Sequence, residues 1–158
     1  MLNREGRAII HTLKYKSGRW LLPDLVKIGH LLPGYMDFLK DSVLVPVPLH
    51  RKRERQRGYN QSLLLAEAFA SSLPEQTEVR PLLKRVINTR TQTRLSREKR
   101  RQNMKGAFVV KKKYPLESQK RHILIDDVFT TGSTLNSCAK TLKDAGVEKI
   151  DILTLAHG

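Results

Sequence analysis

Residues 122–134 read HILIDDVFTTGST: an apolar run, two adjacent carboxylates, then a turn of small and hydroxylated residues. Ile123, Leu124 and Ile125 do not alternate with polar residues, the pattern of a strand covered on both faces, and apolar residues resume at helical spacing with Leu135, Ala139 and Leu142. The stretch predicts strand, turn and helix, with Asp126 and Asp127 at the strand's C-terminal end, where open α/β sheets bind ligands. Two carboxylates can accept hydrogen bonds from vicinal hydroxyls. Thr130, Thr131, Gly132, Ser133 and Thr134 add hydroxyls and the unpaired N–H groups of a helix N-terminus, which together with the helix dipole suit a phosphate. A sugar diol and a phosphate can thus be held within one loop. The competing account is a simple helix cap with acids at the helix's positive end. It leaves one carboxylate unexplained, because neighbouring carboxylates repel and a cap needs only one.

HILIDDVFTTGST resembles the phosphoribosyl diphosphate (PRPP) signature of the type I phosphoribosyltransferases. The resemblance implies an α/β fold: a mostly parallel twisted sheet flanked by helices, with a small N-terminal helical hood. It also implies that Asp126 and Asp127 hold the ribose hydroxyls as catalytic residues, and that Thr130, Thr131, Gly132, Ser133 and Thr134 wrap the 5-phosphate.

Two further segments, VLVPVPLHRKRERQRGYNQSLLLAEAFA at 43–70 and TQTRLSREKRRQNMKGAF at 91–108, resemble the ComF family, associated with bacterial competence and DNA uptake. The first carries Arg57, Gly58, Tyr59, Asn60 and Gln61; the second carries Gln92, Leu95, Arg100, Asn103 and Gly106 to Phe108. Leu13, Lys14 and Tyr15, ahead of a helical run, are similar to the family's opening. Competence-machinery proteins are the partners this implies. Many ComF proteins begin with a four-cysteine zinc ribbon, but this sequence has a single cysteine, Cys138, and no zinc site is expected.

A phosphoribosyl transfer displaces pyrophosphate through an oxocarbenium-like state, and the developing charge calls for cations and for Mg2+ carried on the pyrophosphate itself. Leu49, His50 and Arg51 are the expected pyrophosphate loop, with Arg57, Asn60 and Gln61 beside it, and Arg94, Arg97, Arg100 and Arg101 the expected lid cations. Arg100 joins the two carboxylates as a candidate catalytic group. His50 is either a general acid or a loop residue. Nothing names an acceptor: Tyr15, Trp20, Tyr35 and Phe38 suit a hood pocket, yet spaced aromatics on helices more often belong to a core. His11, His30, His122, His157 and Cys138 read as structural residues.

With 158 residues and 39% hydrophobic content, one compact domain is expected, residues 1–42 forming the hood and 43–158 the core. Strands are expected at 43–47, 81–86, from 108 and at 149–156, and a helix at 60–72. The polar stretch 88–106 reads as a disordered segment or a lid. No leader, spanning stretch or disulfide scaffold is evident, so a cytoplasmic protein without membrane insertion is expected.

The net charge of +15, from 30 basic and 15 acidic residues, points to a polyanionic partner or a highly charged substrate. Basic residues cluster at 51–57, at 90–105 and at 111–113, the last read as a turn kept soluble by charge. Three functions compete: a transferase for an unidentified base or amine, a PRPP-binding protein whose basic loops hold single-stranded DNA during natural transformation, and a PRPP-sensing regulator. The charge favours the second and third, since one small substrate does not need it. Aromatic content of 6% offers no stacking platform, so DNA contact would be mainly to phosphates and steeply salt-dependent.

Overall fold

The computed structural model describes residues 4–15, 18–73, 75–87 and 106–158. Helix α1 (Arg4–Tyr15), a 3-10 turn (Gly18–Leu21), α2 (Leu22–His30) and α3 (Tyr35–Leu39) precede the first strand, β1 (Ser42–Pro46). Then follow α4 (Arg51–Arg57), α5 (Gln61–Ala70), β2 (Thr77–Val79), β3 (Leu83–Arg85), β4 (Phe108–Val110), β5 (Arg121–Phe129), α6 (Ser133–Asp144) and β6 (Ile150–His157).

Four strands form a parallel sheet in the order β2-β1-β5-β6. Parallel strands need covered faces, and alternation along β1 and β5 supplies both. Val43, Val45, Val47 and Leu124 meet Leu135, Cys138 and Leu142 of α6 on one side. Leu44, Ile123 and Ile125 meet Leu65, Ala66 and Phe69 of α5, with Tyr35 and Leu39 of the hood, on the other. The hood helices therefore complete a core layer. Tyr35 is buried there, its phenol pushed up to about 12 by that burial, whereas Trp20 is exposed.

Three expectations are corrected. The segments at 81–86 and from 108 lie outside the parallel sheet: β3 and β4 pair antiparallel as a separate two-stranded ribbon, Leu83 opposite Val110 and Arg85 opposite Phe108. The sheet's fourth strand is instead β2, a short polar edge strand that its composition does not announce. The basic cluster at 51–57 is a helix rather than a loop. Arg, Lys, Glu and Gln are good helix formers, His50 caps its start by accepting from the Lys52 N–H at 3.3 Å, and Gly58, at φ 80°, ends it. Finally, β5 does not stop at its apolar run. It continues past both carboxylates because Asp126, Val128 and Phe129 stay paired with Thr154, Ala156 and His157, and the Phe129 and His157 rings stack at 5.4 Å. Of the expected loop at 88–106, residues 88–105 lie outside the described residues, with Arg94, Arg97, Arg100 and Arg101 among them. Lys112 and Lys113 do form a turn.

Candidate phosphoribosyl-binding site

Parallel pairing of β1 with β5 brings two C-terminal ends side by side: Pro46 lies opposite Ile125, and the Val47 N–H donates to the Ile125 carbonyl at 3.0 Å. The segment after β1, with Leu49, His50 and Arg51, thus leaves the sheet at the end where Asp126 follows Ile125. Asn60 fixes this segment. Its amide nitrogen donates to the Val47 carbonyl at 3.1 Å, and its side-chain oxygen accepts from the Ser62 N–H at 3.1 Å, capping α5. Gln61 is 4% exposed and accepts from Arg57 Nη1 at 3.1 Å. The Arg-Gly-Tyr-Asn-Gln run thus positions the loop after β1. His50 spends its Nδ1 on the cap of α4.

The two carboxylates differ in surroundings. Asp127 is 4% exposed, and its Oδ2 lies 2.7 Å from Lys14 Nζ, an ion pair that reaches across from α1. The end of α1 is held in turn by the Tyr59 hydroxyl, which donates to the Leu13 carbonyl at 2.6 Å. Asp126 Oδ1 accepts from the Ser62 hydroxyl at 3.0 Å and from the Asp127 N–H at 2.9 Å. Burial, and after it the charge of Asp127, pushes the Asp126 carboxyl up to about 7, and those two hydrogen bonds oppose the rise. On the same side, the Arg85 guanidinium is held below its ordinary value by burial and then by Arg53, with Asp126 pulling the other way. Asp126 also pushes up the Cys138 thiol, after burial.

The turn after β5 leads directly into α6. Gly132 is its N-cap at φ 68°, and a Cβ there would lie 2.9 Å from the Phe129 ring, so both conformation and space call for glycine. Thr131 Oγ1 and Ser133 Oγ are 3.0 Å apart. Ser133 and Thr134 open the helix, and its N-cap, Gly132, supplies no side-chain cap. Carboxylates, turn and the segment after β1 therefore lie at one end of the sheet.

Sequence reasoning missed three neighbours. Ser62 follows directly on the Asn-Gln pair, so its place in the first turn of α5 was a usable signal. Lys14 had only its position in the opening segment to mark it, and Arg85, half-buried in the structure, had no mark in the sequence. Among the described residues, no group of three histidine, cysteine, aspartate or glutamate side chains is placed to hold a metal, and no helix is long and apolar enough to cross a membrane.

The fold is that of the phosphoribosyltransferases. The chain belongs to the phosphoribosyl transferase family: the model of the phosphoribosyl transferase domain matches residues 60–158. Within it the chain is similar to competence proteins. It is 44% identical to competence protein F of Haemophilus influenzae over 94% of this chain and 66% of that protein. It is 35% identical to competence protein ComFC of Bacillus subtilis, over 68% of this chain and 40% of that one. It is 36% identical to the DNA utilization protein YhgH of Escherichia coli O157:H7, over 72% and 48%. The chain thus spans from 40% to 66% of the length of these relatives.

Proposed function

We propose that this chain binds PRPP, as its Mg2+ complex, at the end of β5 and serves DNA uptake in the cytoplasm as a ComF-type protein, together with other proteins of the competence machinery. The observation that carries the PRPP reading is the meeting of Asp126 and Asp127 with the 130–134 turn and the segment after β1. The carboxylates accept the ribose hydroxyls, the turn and the start of α6 take the 5-phosphate, and Leu49 to Arg51 face the diphosphate. No protein cage for Mg2+ is needed, because the ion travels on the diphosphate. The DNA reading is supported by the competence and DNA-utilization roles of the relatives and by the net charge of +15.

Calorimetric titration of PRPP with Mg2+ tests the site. Binding to the wild type and its loss in Asp126→Asn/Asp127→Asn is the expected result; equal affinity in the two proteins would refute the assignment.

One observation favours turnover as a second reading. Asp126 is pushed to about 7 beside an ion-paired Asp127, a split that equips one carboxyl to hold a proton near neutral pH. Release of pyrophosphate from PRPP as the anomeric carbon bonds to an added base or amine, lost in Asp126→Asn, is its signature.

A further inference from the structure

Helix α4 and the β3–β4 ribbon carry a second concentration of charge, which adjoins the carboxylate site at Arg85, where Asp126 acts on the guanidinium. Arg51, Lys52 and Arg55 are exposed on α4, and Lys112 and Lys113 are exposed in the turn after β4. Lys84 and Lys111 are half-buried beside them. The two basic segments are far apart in sequence but adjacent in the fold. His50, the cap of α4, forms a parallel bridge with Arg85 of β3, so the helix begins against the ribbon. Electrostatic interaction continues along it: Glu54 acts on Lys111, and Arg53 on Arg85.

Like charges are crowded on this face. Burial first, then Lys113 and Lys84, hold Lys111 below its ordinary value against the pull of Glu54, the lone acid of α4, and burial followed by Arg53 does the same to Arg85. Crowded cations cost folding energy that an anion seated over them returns. Exposed cations spread over a helix and a separate turn match a chain of phosphates better than a single small anion. Tyr114, beneath Lys113 at 5.7 Å, is packed on the core, which leaves phosphate pairing as the main attraction.

We propose that α4 and the β3–β4 ribbon form one docking face for the sugar-phosphate backbone of a nucleic acid. The inference rests on the DNA half of the function proposed above and narrows it to one face. It also gives Lys112 and Lys113, read from the sequence as a solubility turn, a binding role.

The test compares two variants that remove equal charge. Lys52→Gln/Arg55→Gln/Lys112→Gln/Lys113→Gln strips the face without touching a residue of the carboxylate site. Lys40→Gln/Lys140→Gln/Lys143→Gln/Lys149→Gln strips four exposed lysines elsewhere; Lys40 and Lys149 precede β1 and β6, at the opposite end of the sheet. Binding of a single-stranded oligonucleotide is followed by fluorescence anisotropy across a salt series, with thermal melts confirming folding.

The face variant is expected to bind at least about tenfold more weakly at low salt, with a log-log salt slope shallower by up to about three units, at about 0.7 for each phosphate that is no longer neutralised. The control should track the wild type. Equal weakening of both variants would mean diffuse charge and overturn the proposal, as would a face variant that binds like the wild type. Failure of the wild type to bind DNA even at low salt would remove the DNA reading and the face with it, leaving the PRPP titration as a separate result.

Discussion

Lys14 Nζ lies 2.7 Å from Asp127 Oδ2, so the first helix is fastened to the second carboxylate of the candidate site. The lysine side chain is 26% exposed and the carboxylate 6%, a pair largely out of water. Removing one partner of such a pair strands the other's charge, and partial solvation keeps the cost below that of a fully buried pair. Lys14→Met is expected to lower stability by about 1–3 kcal/mol in urea unfolding, with most of the loss absent when Asp127→Asn is already in place. Additive effects of the two substitutions would mean the pair is not coupled.

Asp126 sets a pH dependence of the opposite sense to most carboxylates. Its folded value, about 7, lies above the ordinary carboxylate range, so between roughly pH 4 and 7 the folded chain keeps a proton that the unfolded chain has lost. Stability from this group is fully present below the unfolded value and is lost as pH rises through about 7. Urea midpoints of the wild type and Asp126→Asn, measured from pH 4.5 to 8, are expected to shift in the variant's favour as pH rises. A constant difference across that window would contradict the protonated carboxyl.

Gly132→Ala tests the phosphate turn through its backbone. At φ 68° an alanine is strained, and its Cβ would approach the Phe129 ring to 2.9 Å. Thermal or urea unfolding should show a loss of about 1–3 kcal/mol. Adding Phe129→Ala relieves the clash with the ring and leaves the φ strain, so the Gly132→Ala cost should shrink in that background without vanishing.

Much of this site was legible because its residues sit next to one another in the chain. The apolar run, the carboxylate pair and the turn at 122–134 fixed a strand, a turn and a helix before any packing was known. The end of β5 was not legible, because Asp126 and Asp127 interrupt the strand pattern and Val128 and Phe129 stay in the strand through pairing with β6, nearly thirty residues later. The same limit hid β2, whose three residues pair only because β1 offers an edge, and the ribbon, whose antiparallel sense is set by the return of the chain. Lys14 shows it most plainly: nothing in a lysine on a helix says which carboxylate, 113 positions away, it will meet.

Ser62 is the finest control on the carboxylates. Its hydroxyl donates to Asp126 Oδ1 at 3.0 Å, a bond that favours the charged form and opposes the upward push of burial. Ser62 is itself buried, so Ser62→Ala removes a donor without opening a path for water. Two effects follow with a common cause. Stability should fall by about 1 kcal/mol, the net worth of a hydrogen bond to a side chain that can be charged. The Asp126 carboxyl should also titrate higher than in the wild type, since one of the hydrogen bonds holding it down is gone. Carbon-13 NMR of the aspartate carboxyls, with Asp126→Asn to assign the signal, reads that shift directly. An unchanged or lower titration point in Ser62→Ala would show that the hydroxyl does not face the charged carboxylate as the 3.0 Å separation implies.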